Sequence, residues 1–293
     1  CIMELERLYA FRTVAELENI SRAAEQLHIS QPALSQTIHR LEEEWGCPLF
    51  EREGRRIRLN HAGEILLTAI RQIDAALENA RLSLAEENGR PPVISLYIGC
   101  ASMLLPELLR CLKAQTPEVR YQIRQWSGEP PSQEADLLIT ASPGAPDETT
   151  ELLMQEPIGL ALPVGHPLLR KEKIFLHDLA GEEMISLNPS WSLYSVTARE
   201  MEQSAFTPNI TIWVDNPNLL RDFLRMGIGL AFAPLVSWRA FASKEVALRP
   251  LFGCKMQRNI YLVHRFGDSP PRSVSACIDG VRSFFRQQAT KAE

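Results

Sequence analysis

Apolar positions in the first ninety residues recur at helical spacing. Leu5, Leu8, Phe11 and Val14 or Ala15 mark a first amphipathic helix over 4–16. Asn19-Ile20-Ser21 interrupts it, and Ser21 suits the N-cap of a short helix from Arg22 to Leu27, where Ala23-Ala24 permits close helix contact. His28-Ile29-Ser30 makes a tight turn. Ser30 is placed to cap a third helix with Pro32 in its first turn, and Gly46 ends that helix after Trp45. At 100° per residue, Leu34, Ile38 and Leu41 fall within about 60° of one another, while Pro32, Ser35, Gln36 and His39 fall on the opposite side. Residues 47–52 and 57–59 then read as two short strands around Glu53-Gly54-Arg55-Arg56, a hairpin or wing. From 61 to 88 one long helix is expected. Its Leu66, Ile70, Ile73, Leu77, Ala80 and Leu84 alternate spacings of four and three, the a/d seam of a helix that pairs with a partner helix or packs on its own domain.

Asn88-Gly89-Arg90-Pro91-Pro92 breaks the pattern as a hinge. Beyond it strand-like and helix-like runs alternate. Strands are expected at 94–99, 119–126, 136–140, 158–163, 184–187, 210–214, 230–233 and 260–264, and helices at 104–114, 193–203, 219–226 and 274–287. Such alternation predicts an α/β sheet, mostly parallel.

The 293 residues are 45% hydrophobic and 23% charged, values of an ordinary globular chain of about two domains. No apolar run reaches the roughly 18–20 residues of a membrane helix, and the opening residues carry no basic-then-apolar secretion signal. Met3 is the expected start. The six cysteines are widely spaced, with no CxxC pair, so a reducing cytoplasm is the simplest setting. The net charge of −5 argues against a general nucleic-acid binder, and residues 1–60 hold 8 Arg against 10 acids. Yet Arg52, Arg55, Arg56 and Arg58 meet only Glu53 within 52–58.

A short helix, a tight turn and a second helix with a polar outer face form a helix-turn-helix, whose second helix can enter a DNA major groove. Gln can pair with adenine, and Ser and His can donate to bases or phosphates. The same pattern also fits a solvated helical face beside a charged hairpin. Residues 21–52, SRAAEQLHISQPALSQTIHRLEEEWGCPLFER, with Leu59-Asn60-His61-Ala62-Gly63-Glu64 after them, resemble the DNA-binding domain of LysR-type transcriptional regulators. Asn60 stands where that family more often has Thr and caps equally well. The resemblance implies contacts to operator DNA from Gln31, Pro32, Ser35, Gln36 and His39, with Arg52 and Arg55 or Arg56 at the wing. Ser30 and Arg40 complete the candidate set. The narrow seam of 61–88 better suits a partner helix, so it is read as a dimerisation helix, and a dimer would also present two recognition helices to two half-sites.

The layout after residue 90 resembles the LysR-type effector domain, itself similar to periplasmic binding proteins. The expected architecture is therefore an all-α winged helix-turn-helix domain over 1–60, a linker helix and hinge over 61–90, and a two-lobed α/β effector-binding domain over 91–293. Lobe one is expected at about 93–163 plus 265–293 and lobe two at about 164–264, with chain crossings near Pro163 and His264. The family usually carries a helix between Trp126 and Asp136; here Ser127-Gly128-Glu129-Pro130-Pro131 is short and proline-broken.

Ligands in α/β sheets sit beyond the carboxyl ends of strands, where helix N-termini favour anions. This singles out Cys100, Ser102, Trp126, Ser127, Ser190, Trp191 and Pro234 for a small effector, anionic or else aromatic and stacked on a tryptophan. No Arg or Lys is evident at these strand ends. Ser102 also fits a plain helix cap, Trp191 a packed loop aromatic, and Cys100 an apolar filler rather than a redox sensor. Asp215 and Asn216 read as caps of the following helix. GxSxG, HExxH, P-loop and GxGxxG motifs are absent, and the six histidines form no ligand pair. No enzyme, metal or cofactor is expected. The expected function is a LysR-type regulator, a homodimer or homotetramer, working with RNA polymerase. The alternatives are a winged-helix regulator with a different ligand domain, as in molybdate-sensing regulators, or an α/β enzyme with an accessory helical domain.

Overall fold

The computed structural model describes residues 2–53, 56–125, 135–143, 149–266 and 270–290, with the side chains of 2–4, 52, 53 and 56 outside the description. The chain divides into two compact units, Cys1–Arg81 and Leu82–Glu293.

In the first unit, helices α1 (Ile2–Leu17), α2 (Ile20–Gln26) and α3 (Gln31–Trp45) precede strands β1 (Phe50–Glu53) and β2 (Arg56–Leu59), an antiparallel hairpin. Helix α4 (His61–Glu87) follows. The cap of α2 is Asn19, whose side chain accepts from the Arg22 N–H at 3.1 Å, so the helix starts before the expected Ser21. Helix α3 ends at Gly46 in the left-handed region (φ 69°), as expected of a glycine with no Cβ to clash. Phe11, Ala23, Leu34, Ile38, Leu41 and Leu49 share one core with Leu66 and Ile70 of α4. Gly63 is required at the start of α4, because a Cβ there would stand 2.2 Å from the Leu49 carbonyl oxygen.

The second unit contains β3 (Val93–Ile98), α5 (Leu105–Gln115), β4 (Arg120–Gln125), β5 (Leu137–Thr140), β6 (Thr149–Pro163), β7 (Ile174–Phe175), β8 (Glu183–Leu187), α6 (Ser192–Gln203), β9 (Asn209–Val214), α7 (Pro217–Arg225), β10 (Ala231–Pro234), β11 (Val246–Arg249), β12 (Leu251–Phe252), β13 (Gln257–His264) and α8 (Arg272–Thr290). The main sheet runs β10-β6-β13-β5-β3-β4, with β11 also on β6. It is mixed rather than mostly parallel. β3 pairs in parallel with β4 and β5, whereas β13 pairs antiparallel with β5 and β6, and β10 and β11 are antiparallel to β6. β8 and β9 form a separate parallel pair.

Two hydrophobic cores give this unit its two lobes. One gathers Leu96, Leu108, Ile139, Met154, Ile260 and Phe285; the other gathers Ile158, Leu160, Ile174, Met184, Leu224 and Met256. The cores change over within β6, between Met154 and Ile158, and again between Met256 and Ile260. Both changes come earlier along the chain than the crossings expected at Pro163 and His264. The alternating first half of β6, with exposed Thr150, Leu152 and Gln155 between less exposed neighbours, hid its length, and 149–163 forms one strand where only 158–163 was expected.

Candidate functional site

The outer face of α3 takes the form its sequence predicts. Leu34, Ile38 and Leu41 are buried, Gln31, Pro32, Gln36, His39 and Arg40 are exposed, and Ser35 is half-buried. Ser30 is the cap: its Oγ accepts from the Ala33 N–H at 3.4 Å, so its hydroxyl serves the helix start. Gln31 Oε1 accepts from Ser21 Oγ at 3.2 Å, which joins the first helix of the motif to the second. His39 Nε2 stands 3.4 Å from Glu43 Oε1. The wing follows at once, and Glu42 fixes its approach by accepting the Leu49 N–H at 2.8 Å. Arg52 and Arg56 lie on β1 and β2 with side chains outside the description, Arg55 lies outside the described residues, and Arg58 is exposed. A rigid helix with amide, hydroxyl and imidazole groups on its free side has the donors and acceptors that base edges and phosphates require.

The α4 seam divides. Leu66 and Ile70 belong to the core of their own unit, contrary to the expectation that all six residues face a partner helix. Ile73, Leu77, Ala80 and Leu84 remain exposed along one stripe. The first turns of α4 must cover the helix-turn-helix, and only the later turns extend beyond that core.

Between the two lobes lies a narrow pocket at the strand ends where ligands were expected. Cys100, Ser102, Trp191 and Pro234 line it, as expected from sequence. Ser190 does not; it is exposed, and Ser192 takes its place. Trp126 and Ser127 lie outside the described residues. Ser102 is the first residue of a 3-10 turn rather than its cap. Ala101, with φ 55°, occupies the cap position without a side-chain bond. The Trp191 indole N–H donates to the Asp215 carbonyl at 3.0 Å, which fixes the ring at the pocket edge. Asn216 caps α7 by accepting the Asn218 N–H at 2.8 Å, the role expected of it. Burial pushes the Cys100 thiol up to about 12, against the pull of nearby Arg258, so it is a neutral wall group rather than a thiolate.

Two cationic residues that were not evident at the strand ends, Arg221 and Arg258, both line the pocket. Arg258 is fully committed. Its Nη2 lies 2.7 Å from Glu156 Oε2 and also donates to Ser237 Oγ at 3.2 Å. Arg221 donates through Nη2 to Asn218 Oδ1, and its guanidinium carbon sits 5.5 Å from the Trp238 ring centroid. Its Nη1 is buried with no hydrogen-bond partner among the described residues. Sequence gave no sign of either residue. Arg221 sits in mid-helix beside Leu220 and Leu224, and Arg258 meets a carboxylate 102 positions away. The pocket encloses about 30 Å³, roughly the space of one water. A larger open groove of about 900 Å³ lies elsewhere, beside Gly89, Arg90 and Arg272. Of the two, the smaller pocket is the one at the strand ends, where helix N-termini and strand termini favour ligands.

Among the described residues no group of His, Cys, Asp and Glu is placed to hold a metal, and no helix is long and apolar enough to cross a membrane. A family model described as bacterial regulatory helix-turn-helix protein, lysR family, matches residues 5–64, and one described as LysR substrate binding domain matches 93–286. The chain is similar to the HTH-type transcriptional regulator AlsR of Bacillus subtilis, 32% identical over 92% of both chains. It is also similar to the Hca operon transcriptional activator HcaR of Escherichia coli, 30% identical over 92% of this chain and 94% of that one. Among solved structures, full-length CbnR in complex with its target DNA shares the fold, with a TM-score of 0.54, 24% identity, and coverage of 96% of this chain and 99% of that one.

Proposed function

The chain belongs to the LysR family of helix-turn-helix transcriptional regulators, and we propose that it binds an operator through α3 and the wing under the control of a small metabolite held between its lobes. The observation that carries the DNA half is the face of α3. Three apolar residues anchor the helix, and Gln31, Pro32, Gln36 and His39 are left to solvent. On this reading Gln36 and Ser35 read bases, while Arg40, Arg52, Arg55 and Arg56 hold phosphates, with DNA reading in 1–60, a linker in 61–90 and effector binding in 91–293. CbnR, which shares the fold, is bound to its target DNA in its own structure.

Control is a shift between lobe arrangements and not a reaction. β6 and β13 are the two strands that carry the chain from one core to the other. A ligand that binds one lobe separation better than another therefore biases the bend of these strands. The exposed stripe Ile73–Leu84 on α4 supplies a surface for a second copy, so that paired reading domains meet two half-sites in the cytoplasm, alongside RNA polymerase.

The test is a gel shift with DNA from upstream of the protein's own coding region, at two salt concentrations. A shifted band that survives excess random DNA is expected. Equal binding to upstream and random DNA would defeat the reading.

A further inference from the structure

The interlobe pocket holds one buried positive charge that no carboxylate among the described residues balances. Of its two guanidinium groups, Arg258 meets Glu156, which is fully buried behind it, and Ser237. Arg221 is only 8% exposed, yet no carboxylate among the described residues pairs with it. Its visible partners are a neutral amide oxygen and an indole face. The nearest acid on α7, Asp222, is exposed and pairs with Arg225 at 3.0 Å. Burial and then the neighbouring Arg225 both lower the Arg221 pKa, but a guanidinium stays protonated in proteins. The Cys100 thiol is neutral. Counted over the described residues, the pocket thus carries a net charge of about +1.

An isolated buried charge is costly, and proteins keep one where a ligand completes it. Arg221 lines the pocket, and its Nη1 is buried with no hydrogen-bond partner among the described residues. α6 also opens on this pocket, with Ser192 and Leu193 on the wall and no side-chain cap at Trp191, so a second anion-favouring group lines the same space. The remaining wall is largely apolar: Leu187, Pro217, Pro234 and Trp238.

We infer that the effector is a small monocarboxylate with an apolar body, whose carboxylate pairs with Arg221. One negative charge satisfies the pocket, whereas a dianion leaves an excess and a neutral ligand leaves Nη1 unpaired. The inference rests on the interlobe pocket being the effector site. With about 30 Å³ enclosed, the lobes must part to admit even a small acid, which couples the pairing to the bend of β6 and β13.

The full chain is titrated with sodium butyrate and sodium benzoate, each against its uncharged amide, at constant ionic strength, with tryptophan fluorescence and melting temperature as readouts. At least one carboxylate is expected to bind saturably and raise the melting temperature, and its amide to bind at least about tenfold more weakly, the scale of a charge-assisted bond. Arg221→Gln should weaken the acid by a similar factor, and Arg221→Lys should retain part of the affinity. Without ligand, Arg221→Gln should melt no lower than the parent, since the variant buries no unbalanced charge. A marked fall would show that the guanidinium is satisfied within the protein and would overturn the inference. So would binding of neither acid, or equal affinity in Arg221→Gln. An amide that binds as tightly as its acid, with a fluorescence change lost in Trp191→Phe, would leave the pocket standing and remove only the anion.

Discussion

Arg258 and Glu156 are register partners on β13 and β6, and their side chains form a buried ion pair with Nε and Nη2 at 2.8 and 2.7 Å from the same carboxylate oxygen. The pair sits on the only two strands that pack into both lobes among the described residues. Removing one partner strands the other charge in the interior, a loss of about 3–5 kcal/mol, whereas replacing both with apolar groups is often neutral. Glu156→Ala should therefore lower stability in urea melts by several kcal/mol, and Glu156→Leu combined with Arg258→Met should recover most of it. If the double substitution is as damaging as the single one, the pair's hydrogen bonds to Ser237, rather than its charge balance, hold the crossing.

On α3 neighbouring positions separate folding from the proposed reading of DNA. Leu34 is fully buried and Gln36 is exposed. Leu34→Ala should cost about 2–5 kcal/mol of stability through the cavity it leaves. Gln36→Ala should leave stability unchanged and reduce discrimination between operator and random DNA by about 1–3 kcal/mol, the scale of one bidentate base contact. Fluorescence anisotropy with both DNAs separates the two effects. Unchanged discrimination in Gln36→Ala would remove α3 as the reading helix.

Helix α3 was legible in the sequence because its information is local. A cap, a helical period and a terminal glycine all lie within 30–46, and the structure realises each one. The cap of α2 was misread because Asn19 and Ser21 are both competent caps, and the choice depends on where the preceding helix ends. The sheet's mixed direction was not legible, since alternation marks a strand without giving its sense. The cations of the pocket were hidden for a similar reason. Arg258 is placed by a register between β13 and β6, and Arg221 by the turn of α7 against a lobe formed from distant segments. The α4 seam was half legible: its period is correct, but a period does not say which partner each turn meets.

That division of α4 yields a contrast. Ile70 is 2% exposed within its own core, while Leu77 is 53% and Leu84 62% exposed. Leu77→Asp should leave the melting temperature of the helix-turn-helix unit intact and reduce the molar mass seen by light scattering, because it charges a surface that a second copy would bury. Ile70→Asp should unfold the unit whatever the oligomeric state. A Leu77→Asp protein with unchanged mass would mean that this stripe is not the contact between copies.

His264 supplies a pH prediction whose sign follows from its surroundings. Its side chain is almost fully buried at the end of β13, and neither ring nitrogen has a hydrogen-bond partner among the described residues. Burial lowers its pKa below the usual 6.5. Glu151 acts in the opposite direction, but its Oε1 is 3.6 Å from Nε2 and is also held by Arg282. The unfolded chain therefore binds a proton more readily than the folded one. Between the two pKa values stability rises with pH; this contribution is complete above about 6.5 and is lost as pH falls below it. Glu151, whose own pKa is lowered chiefly by its hydrogen bond from Arg282, titrates below the ordinary carboxylate value near 4.5 and stays charged throughout this window. The parent should thus lose melting temperature between pH 7.5 and 5.5, and His264→Gln, which cannot take up a proton there, should lose distinctly less. Parallel losses in the two proteins would assign the acid sensitivity to other groups.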